Sequence, residues 1–340
     1  MKLSVNKNSK IYVLCPAAFA TGGPEVLHQL VYNLNRLGFN AFMVYFPLNH
    51  PSPVHNEYKI YGNPYVRHIE DNKENILIVP EVRTDFLYKY ENIQKVIWWL
   101  SVNNYYSSLN IKSSTTYMRY MIKKILKFCG QYKHFEFLED KNEYIHFYQS
   151  EYAKYHLLDR GVDYSLIYSL SDYLNKEFLE YASKVDMTQK EDIIVYNPKK
   201  GIEFTRKVIK AMGGDNKFKF IPVINMTRKE VINLLSRAKI YIDFGTHPGK
   251  DRIPREAVSL YCCILTSKLG SAKFYKDVPI DDAYKFDNSD ESIDKIKLKI
   301  NEILKNFTYH LDNFEFYRKV ITYEEQQFIN DIKKIFVSDV

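Results

Sequence analysis

No apolar run in this chain is long enough to cross a membrane. The longest, Ile11 to Ala20 and Ile240 to Gly245, fall well short of the roughly 20 residues a spanning helix needs. The opening segment MKLSVNKNSKIYVLC has no apolar centre followed by a small-residue cleavage site, so it does not read as a secretory signal and a cytoplasmic location is expected. Cysteine is scarce, and Cys15, Cys129, Cys262 and Cys263 show no Cys-x-x-Cys or Cys/His spacing. That argues against a structural zinc site and points to reduced, mostly buried thiols. Glycine and proline number only 12 each while tyrosine, lysine and asparagine are abundant, a bias that mutational pressure on a genome produces without functional cause. Asp/Asn clusters with metal-ligand spacing are missing too, so no metal is expected.

What is present is ordinary globular material in twice the usual amount. A chain of 340 residues, 46% hydrophobic and 26% charged, has room for two cores of moderate size. The net charge of +7 suits anionic substrates or an anionic membrane surface. The basic residues are scattered and carry no nucleic-acid-binding motif, so no nucleic-acid partner is expected.

Ile11 to Ala17 reads as a strand buried on both faces of a parallel sheet. The loop Thr21-Gly22-Gly23-Pro24-Glu25 follows, then a helical pattern through Val26, Leu27, Leu30, Val31, Leu34 and Leu37 to Gly38. Ala41 to Phe46 completes a β-α-β unit, with Gly22 and Gly23 where the first strand meets its helix. There they permit close backbone approach and leave helix amides facing a ligand. The pattern is not G-x-G-x-x-G and no acid ends the second strand, which disfavours a dinucleotide-dependent dehydrogenase. Strands are predicted at Ile76 to Val79, Val96 to Val102, Ile145 to Gln149 and Tyr164 to Leu170. Between them Tyr117 to His134 forms a basic amphipathic pattern, read either as a surface helix with its apolar face on the core or as a contact with anionic lipid.

From Leu174 to Lys190 the chain turns polar, and a hinge is placed at 173–190. A second β-α series begins at Ile193 to Tyr196, running into Asn197-Pro198-Lys199-Lys200-Gly201 and a helix to Gly213-Gly214. Strands at Phe218 to Val223 and Lys239 to Phe244 flank a helix opened by the capping box Thr227 to Glu230. The segment Gly245-Thr246-His247-Pro248-Gly249-Lys250-Asp251-Arg252-Ile253-Pro254-Arg255-Glu256 then combines flexible backbone, cations, carboxylates and a histidine ahead of an apolar helix. With Pro254 at the first helical position, Arg255 and Glu256 fall in the first turn beside free amides, a place that attracts a diphosphate. Lys250 and Arg252 are placed to neutralise a departing nucleoside diphosphate, and Glu256 to accept from a ribose diol. The alternative is a surface salt-bridge cluster of little energetic weight. Cys262 to Thr266 is a further strand, and Gly270 and Ser271 in the loop after it lie at the same edge. Tyr323 to Phe336 is a last amphipathic helix.

This order of features resembles the GT-B glycosyltransferases, most closely the retaining glycosyltransferase family 4, or group 1, type. Gly22, Gly23, His28 and Gly38 are similar to that family's opening, and Lys200-Gly201 to its Lys-Gly before a helix. Glu256 with Ala257 matches the second of two glutamates eight positions apart, while the first position holds Pro248. His-Pro-Gly-Lys-Asp-Arg-x-Pro-Arg-Glu resembles a bacterial surface-polysaccharide subgroup. The resemblance implies an α/β fold of two Rossmann-like domains with a central cleft and a C-terminal helix packing back on the N-terminal domain. The implied divisions are an acceptor domain at 1–172, the hinge, a nucleotide-sugar domain at 191–310 and crossover helices at 311–340.

The implied activity is transfer of a hexose from a nucleotide-sugar, expected to be a UDP-sugar, to a saccharide or lipid-linked glycan at the inner face of the cytoplasmic membrane. A nucleotide-sugar epimerase or a polyol-phosphate transferase on the same scaffold is the alternative. Glu256 is the expected ribose ligand, Lys200 a phosphate ligand, and His247, Gly249 and Asp251 substitute for the missing glutamate at the donor sugar. If the reaction inverts, a base is required, and Glu25 and Glu81, with Asp85 behind them, stand after strand ends. If it retains, the leaving phosphate takes the acceptor proton.

Overall fold

The apolar run after Ser9 forms β1 (Lys10–Pro16), whose residues Ile11 to Cys15 are all buried. It is the centre from which the first sheet grows in both directions. The computed structural model describes residues 3–109, 133–213 and 218–336. The sequence-predicted basic helix therefore lies outside the described residues except for its last two positions.

The chain divides into two units, Met1–Asp172 with Gln326–Val340, and Tyr173–Glu325. In the first, β1 is followed by α1 (Gly22–Arg36), β2 (Asn40–Phe46), β3 (Tyr65–Val66), β4 (Ile76–Pro80), β5 (Gln94–Trp99), α2 (Val102–Leu109), β6 (Ile145–Tyr148), α3 (Glu151–Asp159) and β7 (Ile167–Ser169). All seven strands are parallel, in the order β3-β2-β1-β4-β5-β6-β7. β7 is shorter than the expected Tyr164 to Leu170. The Asp163 side chain accepts the Ser165 N–H at 2.8 Å and turns Tyr164–Leu166 into a 3-10 turn instead.

The second unit holds α4 (Lys176–Ala182), β8 (Glu191–Tyr196), α5 (Ile202–Ala211), β9 (Lys219–Pro222), α6 (Arg228–Arg237), β10 (Ala238–Asp243), α7 (Arg252–Ser259), β11 (Cys263–Ser267), β12 (Lys285–Phe286) and α8 (Asp290–Lys305). Its five strands are parallel in the order β12-β11-β10-β8-β9. The expected hinge contains α4, capped by the Asn175 side chain. At its end Lys190 is buried, donating to the carbonyls of Leu235, Ala238 and Leu260. The helix predicted to open at Pro254 starts at Arg252. A proline inside the first turn is tolerated, because its missing N–H has no intrahelical acceptor there.

The last helix, α9 (Glu315–Ile335), begins in the second unit and belongs to the first from Gln326 onward. There Phe336, just past its end, packs on Phe39 and Phe147, both at 6.0 Å between ring centres. Two parallel Rossmann-like sheets with a shared terminal helix are the expected α/β architecture. No helix among the described residues is long and apolar enough to cross a membrane.

Candidate functional site

In an open parallel sheet a ligand crevice forms outside the carboxyl ends of the strands, where the strand order reverses. The second sheet reverses between β8 and β10, since β9 lies on one side and β11 and β12 on the other. Lys200 follows β8, and the segment from Gly245 to Glu256 follows β10. The sequence-predicted residues of this region are therefore gathered at the switch point.

Close backbone packing holds these loops together. A Cβ on Gly201 would lie 2.2 Å from the Phe244 carbonyl oxygen, and one on Gly270 would lie 2.1 Å from the carbonyl oxygens of both Thr246 and His247. Both glycines also have positive φ, +59° and +58°, so no other residue fits without a shift. Ser271 donates its N–H to the His247 carbonyl at 2.8 Å and its hydroxyl to the Gly249 carbonyl at 2.6 Å. Gly270 and Ser271 thus fasten the segment from His247 to Gly249 in place.

At the centre of the loop, His247 is fully buried with φ +40°. Its Nε2 lies 3.1 Å from the Asp243 carbonyl and its Nδ1 3.0 Å from Asp251 Oδ2. Burial, the largest influence, opposes a charged imidazole. It is outweighed by the Asp251 hydrogen bond and the charges of Asp243 and Asp251, so the His247 pKa is raised. Burial likewise pushes the Asp251 carboxyl up, and His247 together with Lys200 holds it below its ordinary value. Lys200 Nζ donates to Asp251 Oδ1 at 2.7 Å. Asp251 occupies the N-cap position of α7, yet its side chain makes no cap bond, because it faces these two cations instead.

Asp243, His247 and Asp251 each offer a ligand atom, and these atoms lie within 4.8 Å of one another. Their lone pairs are already engaged by hydrogens. Asp243 accepts from the Gly245 N–H, the Tyr241 hydroxyl and the Asn197 amide, while Asp251 takes an ammonium and an imidazole. The set fits a proton-held network better than a divalent ion.

A second charge cluster flanks the first. Lys250 Nζ lies 2.8 Å from Glu324 Oε1, and Arg255 Nη1 lies 2.8 Å from Glu324 Oε2. Arg255 is fully buried and also donates to the Lys250 and Asp251 carbonyls, at 3.2 and 3.3 Å. Sequence reasoning placed Arg255 in the first turn but gave it no partner, and it missed Glu324. A glutamate among exposed charges on a late helix gives no sign of Arg255, its partner 69 residues earlier. Arg252 opens α7, and Glu256 is partly buried in its second turn, one turn later than the sequence suggests.

The other predicted residues lie in the first unit, whose sheet reverses between β1 and β4. Gly22 and Gly23 open α1 after β1. A Cβ on Gly23 would meet only the Leu100 side chain, at 3.8 Å, so the protein's own packing does not demand glycine there. Glu25 is buried in the first turn and accepts from the Tyr61 hydroxyl at 3.1 Å. Glu81 follows β4 and is buried, accepting the Leu100 N–H at 3.0 Å. Burial pushes its carboxyl pKa up to about 8, against the backbone N–H groups of Leu100 and Ser101. Asp85 is held by a bidentate pair with Arg83, at 2.8 and 2.9 Å. The His28 ring packs at a tilt against Tyr58, 4.6 Å between ring centres, and burial lowers its pKa to about 4, as befits a packed histidine.

Whole-chain similarity decides the architecture. Anabaena HepE in complex with UDP and glucose superposes with a TM-score of 0.62 at 10% identity, covering 96% of this chain and 99% of that one. Sucrose-phosphate synthase from Thermosynechococcus elongatus gives 0.62 at 13% identity, covering 97% and 98%. A glycosyltransferase from Rickettsia africae gives 0.58 at 13% identity, covering 97% and 99%. The fold is GT-B. No family model matches the sequence, and no curated protein matches it at a significant level. At these identities the GT-B likeness fixes the arrangement of strands and helices, while the chemistry rests on the side chains of this chain.

Proposed function

We propose that this GT-B chain is a glycosyltransferase that moves a sugar from a UDP-sugar to a saccharide or lipid-linked glycan acceptor in bacterial surface-polysaccharide assembly. The observation that carries the reading is the gathering of Lys200, Lys250, Arg252 and Glu256 at the switch point of the second sheet, the position where this class of fold binds nucleotides. UDP is the chosen nucleotide because Anabaena HepE was solved with UDP-glucose.

In this reading the amino end of α7 faces the diphosphate, and Lys200, Lys250 and Arg252 stabilise the charge that grows on it as the glycosidic bond breaks. Each well-placed donor is worth about 3 kcal/mol. Glu256 accepts from the ribose diol. The cations do the work of a divalent ion, so turnover survives dialysis against EDTA. If the product anomer is inverted, Glu25 or Glu81 is the candidate base. Glu81, held near pH 8, is poised to exchange a proton with a neutral hydroxyl.

Thermal-shift measurements with UDP, GDP, CDP, CMP and dTDP test the reading. UDP stabilises the protein, and Glu256→Ala weakens that response about tenfold in concentration, the loss of one charged hydrogen bond. A response to none of the five nucleotides overturns the proposal. Release of an isomerised UDP-sugar in the absence of acceptor replaces it with an epimerase.

A further inference from the structure

The two lysines of the site share a design. Each is paired with a carboxylate that also faces a second, more deeply buried nitrogen group: Lys200 on Asp251, which also faces the His247 imidazole, and Lys250 on Glu324, which also holds the Arg255 guanidinium. Removing one partner from a buried ion pair is strongly unfavourable because it leaves a bare charge. At Glu324 the lysine can leave and the carboxylate still has the Arg255 guanidinium.

The Glu324 cluster is the sharper case. Arg255 has no exposed surface and Glu324 only 5%, so these two are bound to each other by burial. The Lys250 side chain keeps 12% exposure, which makes it the member able to exchange partners. Glu324 presents one oxygen to each cation, at 2.8 Å in both cases, so releasing Lys250 leaves the Arg255 contact intact.

We propose that Glu324 is an internal counter-anion that positions Lys250 before nucleotide binds and competes for it with the incoming diphosphate. Binding exchanges a carboxylate for a phosphate oxygen on the Lys250 ammonium. Glu324 therefore sets how tightly the phosphates are held while leaving the nucleoside alone. The inference rests on the nucleotide-sugar reading of the same site.

Calorimetric titration of UDP and of uridine separates the two claims. With Glu324→Gln, UDP binds about fivefold tighter than to the unmodified protein, the size expected for removing one partly screened ion pair, and uridine binding is unchanged. The gain disappears in the Glu324→Gln, Lys250→Met double variant. Glu324→Asp keeps the countercharge for Arg255 on a shorter arm, and shows a smaller gain in the same direction should the amide variant fail to fold. UDP binding that is weakened by Glu324→Gln, or shifted equally with uridine, overturns the inference while leaving the nucleotide-sugar reading standing. Failure of the unmodified protein to bind UDP sinks the reading itself.

Discussion

The two sheets each place an acid at their carboxyl edge, buried in one and partly buried in the other, and they treat it in opposite ways. In the first unit the Glu81 carboxyl is supported by backbone N–H groups, and burial raises its pKa to about 8. In the second, the partly buried Asp251 is held below its ordinary value by His247 and Lys200, against the effect of burial. Two parallel sheets of the same type have thus built unlike sites. One edge favours neutral, proton-exchanging groups, and the other is laced with cations suited to an anion.

The largest effect falls on the ion cluster around Glu324 in the second unit. Arg255→Ala removes a fully buried guanidinium that donates to Glu324 and to two loop carbonyls. Lys250 remains to neutralise Glu324, so the expected loss is about 3 kcal/mol, the lower end for breaking a buried pair. Urea unfolding measures it. A loss within about 0.5 kcal/mol, the range of ordinary surface substitutions, would show that the cluster does not set the stability of the loop.

Next in size is a contrast between glycines. Gly270→Ala drives a Cβ to 2.1 Å from two backbone oxygens at φ +58°. It should destabilise by about 2 to 3 kcal/mol and abolish the UDP response as the segment from His247 to Gly249 shifts. Gly23→Ala meets a side chain at 3.8 Å and should be neutral or stabilising by about 0.5 kcal/mol, as expected for glycine replaced in a helix. Equal unfolding free energies for the two variants would erase the distinction drawn between the tightly packed edge and the open one.

How far the sequence reveals this contrast depends on which forces are local. Strands β1, β10 and β11 are continuous apolar runs because both faces of a parallel sheet are covered, and their positions are legible within a residue or two. The charge mixture of His247 to Glu256 stands out for the same reason, since it interrupts such a run. The two-residue strand β3 leaves no periodic trace. Arg255 reads as a first-turn residue at the anion-attracting helix end, and only the tertiary approach of α9 brings Glu324 to it. Likewise Ser271, expected at the ligand, donates both its N–H and its hydroxyl to the neighbouring loop. No spacing rule encodes which groups a distant loop will meet.

The smallest effect tests the two acids directly, through pH. Glu81 titrates near pH 8 when folded and near 4.5 when unfolded. The folded chain binds the extra proton between those values, and stability falls as pH rises across that window. Glu81→Gln keeps an acceptor for the Leu100 N–H and cannot ionise. Relative to the unmodified protein it should gain about 1 to 2 kcal/mol between roughly pH 5 and pH 8, less than a rigid buried site would give because water enters when the carboxyl ionises. Asp251 has the opposite sign. Its depressed pKa contributes stability above the ordinary value of 3.8, lost as pH falls through the folded value. Asp251→Asn should therefore be less stable than the unmodified protein at neutral pH, with the gap closing in acid. Urea unfolding at the two ends of the range reads both variants. Were they to shift in the same direction near pH 8, the two edges would be electrostatically alike, and the assignment of the anion to the second unit would lose its main support.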